Sequence, residues 1–406
     1  MSDNRIHIVL VTAWFPPRKS VAVNRMQAFA NYLSKDQFNL SVITLNEYNS
    51  PSYEIAEFGK VYRELDTQLI PFLKNNQGEN KILHVCKVIW NVLLLKLIRF
   101  PHKSWMKRVE NRLKMIHQDQ PIDLIISSFS PIEAHLATFN FLEKHKSVKW
   151  IADMRDEMST NGQINNQTRK LLQKAEKKIN KRADAITSVS DPILQDMKRI
   201  MTNIGDFVEI RNGYDHELVP SRNHNAVFTI IYAGTFYGPR KPHTFFEGMK
   251  IFLTQHAVDF KIQFLGTHHN FTIPKEFEKN CEFIPPVDNN KAIDFISQAD
   301  ASLLILNEIN RVGVYSGKIF DYISVQKPII TLVNPNDVAA DLIKEYKAGC
   351  IADFNEPKEI ANSIEFAWKI WNDKSYLPVD EAKVKTLHRK HQVKILENLI
   401  LKIVSK

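Results

Sequence analysis

The sequence predicts an α/β protein with two doubly wound, parallel-sheet domains. Short apolar runs alternate with stretches of helical periodicity, and this alternation closes once and then starts again. Between the two series, residues 215–226 are polar and turn-rich, with Pro220, Asn223 and Asn225, as a linker would be. A length of 406 residues suits two such domains. The expected divisions are therefore 1–214, a linker at 215–226, 227–378, and a last segment at 379–406.

In the first half, Ile6-His-Ile-Val-Leu-Val-Thr12 reads as a buried strand that Trp14-Phe-Pro-Pro17 stops. Arg18-Lys-Ser-Val-Ala22 loops into a helix through about Leu33, and Leu40-Ser-Val-Ile-Thr-Leu45 is the second strand. This order makes a right-handed crossover whose loop lies at the carboxyl edge, where ligands collect. Arg25, one turn into the helix, faces either that edge or solvent. Asp123-Leu-Ile-Ile-Ser-Ser128 is a further strand, and Phe129-Ser-Pro-Ile-Glu-Ala-His135 starts the next helix. Trp150-Ile-Ala-Asp-Met-Arg-Asp156 ends in charge, which places Arg155 and Asp156 at the ligand edge. A surface ion pair of little energetic weight would give the same letters. A lysine-rich helix (Gln163 to Arg182), a strand (Ala185 to Ser190), a helix start at Asp191-Pro-Ile and a closing run from Val208 to Tyr214 complete the half.

The second half opens with Phe228-Thr-Ile-Ile-Tyr-Ala233 and a loop, Gly234-Thr-Phe-Tyr-Gly-Pro-Arg240-Lys241, that brings two cations to a helix beginning at Pro242. Phe260 to Leu265, Cys281 to Ile284, Ala301 to Leu306, Ile329 to Val333 and Cys350 to Ala352 supply strands. Helices begin near Asn289, Ser316, Asn336 and Glu356, and Asp380 to Val404 reads as one long helix able to cross back to the first half.

One stretch combines several features that suit an anion: Val314-Tyr-Ser-Gly-Lys-Ile-Phe-Asp-Tyr-Ile-Ser-Val-Gln-Lys-Pro328. Ser316 stands at a helix start, Gly317 admits close approach, and Lys318 adds an ammonium in the first turn. Exposed amides, the positive end of the dipole and that ammonium together fit a diphosphate. Asp321, one turn on, can accept hydrogen bonds from a ribose. An ordinary capped helix between two strands would show the same pattern.

With 44% hydrophobic and 24% charged residues, the chain is globular in composition. Cys86, Cys281 and Cys350 are isolated, form no CxxC pair and have no zinc spacing with histidine. A reducing, cytoplasmic setting without a structural metal is expected. Met1-Ser-Asp-Asn-Arg-Ile-His-Ile lacks the apolar core of a signal peptide. The net charge of +9 reads either as an anionic partner or simply as a basic cytoplasmic protein, and no RNA-binding signature or zinc-finger spacing supports nucleic acid. Residues 81–116 hold six Lys and three Arg against one Glu, interleaved with Trp90, Leu93, Leu94, Leu97, Phe100 and Trp105. The longest charge-free run there, Val88 to Leu95, is far short of the roughly 20 residues that span a bilayer. This stretch fits an anionic membrane surface, or equally a core-facing helix with a solvated basic side.

Taken in order, these segments resemble the GT-B glycosyltransferases of family 4, especially those of bacterial cell-surface polysaccharide biosynthesis. The resemblance covers nearly the whole chain. It rests on Trp14-Phe-Pro-Pro17 with Arg25, Ser127-Ser-Phe-Ser-Pro131, Trp150 to Asp156, Arg211-Asn-Gly213, Tyr232-Ala-Gly-Thr235, and Tyr315-Ser-Gly-Lys-Ile-Phe-Asp-Tyr322 before Lys327-Pro328. It implies two Rossmann-like domains facing across a cleft, with acceptor on the N-terminal side and nucleotide donor on the C-terminal side. Arg240 and Lys318 would hold the diphosphate, with help from Ser316 and Gly317. Asp321 falls where relatives place a ribose-binding glutamate, and Pro286 and Val287 fall beside the base. The chain departs from the family pattern at Lys19-Ser20-Val21 in place of a Gly-Gly pair. It departs again at Gly313 in place of the first glutamate, and at Ser128 in place of a strand-end histidine, with which His135 does not align.

The implied activity is retaining transfer of a hexosyl or N-acetylhexosaminyl group from a UDP- or GDP-sugar to a glycan or lipid-linked acceptor. It would need no metal and no cofactor beyond the donor. In that scheme Arg240 and Lys318 act on the leaving diphosphate, with Asp156 as the acidic residue of the other half. Two alternatives share the letters: a nucleotide-sugar epimerase of the same fold, and a binding homologue that has lost turnover. Salt-dependent nucleic-acid binding is a third.

Overall fold

The computed structural model describes residues 5–47, 50–67, 85–86, 89–90, 102–218, 220, 224–236, 241–267, 271–306 and 313–406. The chain forms two compact units: Met1–Arg211 with Gln392–Lys406, and Asn212–His391.

The first unit contains β1 (Ile6–Val11), α1 (Val21–Tyr32), β2 (Phe38–Leu45), β3 (Tyr53–Ala56), β4 (Gly59–Glu64), α2 (Lys103–Asp119) and β5 (Leu124–Phe129). It continues with α3 (Glu133–Leu142), β6 (Lys149–Met154), α4 (Asn166–Arg182), β7 (Ala185–Ser188), α5 (Asp191–Ile200) and β8 (Asp206–Glu209). The sheet order is β3-β4-β2-β1-β5-β6-β7-β8. All pairings are parallel except the β3–β4 hairpin at the edge. The apolar alternation does not announce this hairpin, because Tyr53, Glu54 and Ile55 of β3 are all exposed. The turn between the two strands needs Gly59, whose φ is +142° and whose missing Cβ would lie 1.9 Å from Leu40 O.

Buried side chains explain why the central strands read as continuous apolar runs. In β1, Ile8 and Leu10 face one side with Met26, Phe29 and Leu33. Val9 and Val11 face the other side with Trp105, Val109 and Leu113 of α2. The helix α2 thus settles half of the question posed by residues 81–116. It is a core helix, with Trp105 at 0% exposure and Lys103, Lys107 and Arg108 on its solvated side. Val85, Ile89 and Trp90 are each 53% exposed. Residues 81–84, 87–88 and 91–101 of that stretch lie outside the described residues. Among the described residues, no helix is long and apolar enough to cross a membrane.

The second unit contains β9 (Phe228–Ala233), α6 (His243–Gln255), β10 (Phe260–Leu265), β11 (Cys281–Ile284), α7 (Asn289–Gln298), β12 (Ala301–Leu306) and α8 (Gly317–Val325). It continues with β13 (Ile329–Val333), α9 (Val338–Tyr346), β14 (Gly349–Ala352), α10 (Pro357–Asn372) and α11 (Glu381–Lys385). The six strands run parallel in the order β11-β10-β9-β12-β13-β14. The segment read as a linker is tied down at its end. Asn225 N–H and its side-chain amide donate to Asp300, each at 3.0 Å, and Asn225 O accepts from Trp371 Nε1 at 2.8 Å.

The last helix, α12 (Arg389–Val404), places Val393, Leu396, Leu399, Ile400 and Ile403 in the first unit's core. The stretch from Asp380 is two helices rather than the single one expected. The break at Thr386–His388 arises because Tyr214 pairs with this backbone: Tyr214 N–H donates to Leu387 O, and Arg389 N–H donates to Tyr214 O. Gly213 permits that contact, since a Cβ there would lie 2.2 Å from Leu387 O.

Candidate functional site

In a doubly wound sheet, the place to look is beyond the carboxyl ends of the strands where the strand order reverses. In the second unit that point lies between β9 and β12, with β10 and β11 to one side and β13 and β14 to the other. The helix following β12 is α8, the stretch singled out in the sequence.

Two residues one turn apart dock α8 on β9. Tyr322 is fully buried, and its hydroxyl accepts the Ala233 N–H at 2.9 Å. Lys318, four residues earlier on the same face, reaches the same strand end. Its ammonium donates to Tyr232 Oη at 2.7 Å and lies 4.0 Å from the centre of the Tyr232 ring. Gly234 gives the lysine passage: a Cβ there would lie 2.7 Å from Lys318 Cε, and φ is +106°.

Ser316 holds the N-cap position of α8 in extended backbone, but its hydroxyl makes no capping hydrogen bond. The preceding loop is anchored by Asp337, whose Oδ1 accepts from Gly313 N at 3.1 Å and from Val338 N at 2.7 Å. Gly313 has φ +92°, a backbone conformation that favours glycine.

Asp321 points to another side of α8, with His216 Nε2 3.8 Å from its Oδ1. Desolvation pushes its carboxyl up to about 7; Arg389 opposes the rise and Asp215 adds to it. The 26% of the side chain still exposed to solvent limits how far burial can act. Pro286 and Val287 follow β11, and Pro286 Cα lies 3.7 Å from where a Gly266 Cβ would be. Thr267 Oγ1 donates to Gly234 O at 2.6 Å, joining the ends of β9 and β10. Arg240 lies outside the described residues.

The first unit places Asp156 just beyond β6, with its Oδ2 3.8 Å from Arg155 Nε. Arg155 Nε donates to Phe129 O at 2.6 Å, holding the guanidinium against the end of β5. Sequence reading passed over the group beneath them, Asp153. Arg25 is not on the surface but buried at the carboxyl end of the sheet. It is 2% exposed and clasps Asp153 through Nη2–Oδ1 at 2.7 Å and Nε–Oδ2 at 3.2 Å. Arg25 also donates to Ile210 O at 2.6 Å. Ser128 and Thr187 donate to the same carboxylate at 2.9 and 2.8 Å, so one acid ties together the ends of β5, β6 and β7. His135 is also internal: its Nδ1 lies 2.6 Å from Ser127 Oγ, and burial lowers its pKa to about 4.

The structure thus places Ser316, Gly317 and Lys318 beside the end of β9, with Pro286 and Val287 in the loop after β11, two strands away. Asp156 belongs to the other unit. Tyr232, Gly234 and Tyr322 were quoted in the sequence only as parts of motifs. The spacing of four between Lys318 and Tyr322 is the signal that marks one face.

Comparison with solved structures agrees with this topology over the full chain. Sucrose-phosphate synthase from Thermosynechococcus elongatus superposes with a TM-score of 0.64 at 12% identity, covering 99% of this chain and 100% of that one. HepE of Anabaena in complex with UDP-glucose gives 0.58 at 13% identity, with 99% and 100% coverage. The lipopolysaccharide outer core galactosyltransferase WaaB gives 0.59 at 12% identity, with 98% and 99% coverage. The fold is GT-B. No family model and no curated protein sequence matches the chain. At these identities the likeness is one of fold, and the two GT-B units correspond to the two Rossmann-like domains expected from the sequence.

Proposed function

We propose that the protein is a glycosyltransferase. It moves a hexosyl or N-acetylhexosaminyl group from a UDP- or GDP-sugar to a cell-surface polysaccharide or lipid-linked precursor, with retention. The observation that carries this reading is the Lys318 ammonium beside the N-terminus of α8, at the switch point of the second sheet. The UDP-glucose bound in HepE supports a UDP-linked donor, and the galactosyl transfer named for WaaB supports a hexosyl group.

In this reading the bond between the sugar's anomeric carbon and the diphosphate oxygen breaks, and its electron pair stays on the β-phosphate. Lys318 and the first amides of α8 stabilise that developing charge. Arg240 supplies a second cation, Asp321 accepts from the ribose, and Pro286 and Val287 flank the base. Asp156 serves the acceptor side. The acceptor oxygen bonds to the anomeric carbon, and its proton passes to the departing phosphate, so no strong side-chain base is required.

The test is to incubate UDP- and GDP-sugars with and without lipid-linked glycan acceptors and follow both products by mass spectrometry. Acceptor-dependent release of nucleoside diphosphate, with a glycan one sugar longer, is the expected result. Conversion of the donor to its epimer without acceptor would replace this reading with the epimerase one. A lipid-linked acceptor would make the cytoplasmic membrane face the place of action, with the solvated basic side of α2 (Lys103, Lys107 and Arg108) as the surface to meet anionic lipid. Vesicle flotation should therefore require anionic lipid. Equal behaviour with neutral vesicles removes the membrane from the proposal.

A further inference from the structure

The proposed function gives Lys318 a role but does not say what fixes its ammonium. A lysine side chain has four rotatable bonds, so an unrestrained ammonium at a helix start would lose much of its effect on a diphosphate to disorder. Here the restraint is built into β9. Tyr232 is 1% exposed, and its ring is stacked on Phe236 with centroids 4.0 Å apart and planes at 13°. The ring therefore cannot turn away. Its hydroxyl accepts from Lys318 Nζ at 2.7 Å, while its own proton points to Thr235 O at 3.4 Å. The ammonium also meets the ring face at 4.0 Å, and Gly234 leaves the channel through which the side chain passes.

We propose that Tyr232 is a positioning residue for nucleoside diphosphate recognition. Its hydroxyl and ring hold the Lys318 ammonium at the end of β9, where the β-phosphate is met. Tyr232 touches no reacting atom and acts only through Lys318. This rests on the assignment of a donor diphosphate to α8, and it adds a dependence that the assignment alone does not contain. Were the contact merely a resting place from which Lys318 must be freed, loss of the hydroxyl would tighten binding instead.

Calorimetric titration of UDP, GDP and their monophosphates into the wild type, Tyr232→Phe, Lys318→Met and the double variant separates these cases. Tyr232→Phe keeps the ring and its stacking, and removes only the hydroxyl. Diphosphate affinity should fall about tenfold, the usual scale for losing a hydrogen bond to a charged group, while monophosphate affinity stays unchanged. In the Lys318→Met background, Tyr232→Phe should have no further effect. A structural defect would instead weaken both nucleotides and persist in that background, which overturns the proposal. So does diphosphate affinity that is unchanged or tighter in Tyr232→Phe. Failure of the wild type to bind any nucleoside diphosphate would count against the donor assignment itself, a different outcome from a silent Tyr232→Phe.

Discussion

Lys318→Ala is expected to lower kcat/KM for the nucleotide-sugar donor by about 10²- to 10³-fold, the scale seen when one donor to a developing oxyanion is removed. Most of the loss should fall on kcat, because charge on the β-phosphate grows as the sugar–oxygen bond breaks. The fold should survive. Tyr322 still docks α8 on Ala233, and the removed side chain is only half-buried. Lys318→Arg should recover little, since a planar fork does not fit a channel shaped by Gly234 and the Tyr232 ring. Initial-rate kinetics with the donor varied at saturating acceptor decide this. A variant within about twofold of wild type would remove Lys318 from the chemistry.

Arg25→Ala should be the most destabilising single change in the first unit, costing about 3–5 kcal/mol at neutral pH. Asp153 is fully buried, and without Arg25 its carboxylate keeps, among the described residues, the hydrogen bonds from the Ser128 and Thr187 hydroxyls. Burial alone would raise the Asp153 pKa. The Arg25 charge and the hydrogen bonds from Arg25, Thr187 and Ser128 outweigh burial and hold it below the usual carboxylate range. The sign of the pH dependence follows. In the wild type the folded pKa is depressed, so this stabilisation is present above the unfolded value near 3.8 and is lost as pH falls through the folded one. In Arg25→Ala, burial raises the pKa of the stranded acid, and protonation relieves it. The gap between variant and wild type should therefore shrink as pH falls from 7 toward 4.5. Urea unfolding at both values measures it, and a cost under about 1 kcal/mol at pH 7 would mark the pair as no stronger than a surface ion pair.

Local signals made much of this legible in advance. Central parallel strands such as β1, β12 and β13 are apolar runs, buried on both faces, which is why they stood out without alternation. The start of α8 was visible from Ser316 and Gly317, and its end from Pro328. The Asp153 network was not visible, because its partners lie 128, 25 and 34 residues away and only the folded sheet brings them together. For the same reason the break before α12 escaped notice. Thr386–His388 contains no proline or glycine, and it departs from helix because Tyr214 takes its backbone hydrogen bonds. The edge hairpin β3–β4 was missed because exposed residues carry no apolar pattern. Tyr232 was hidden for another reason: a buried tyrosine on a strand looks like core until the lysine against its ring is seen.

The central claim is that the N-terminal end of α8, with Lys318, is a nucleoside diphosphate site. Calorimetric titration of UDP, GDP, ADP, TDP and CDP into the wild type and Lys318→Ala, side by side, tests it most directly. Selective binding of UDP or GDP by the wild type, with the affinity lost in the variant, is the predicted result. No binding by any of the five, or equal affinity in the two proteins, would contradict it.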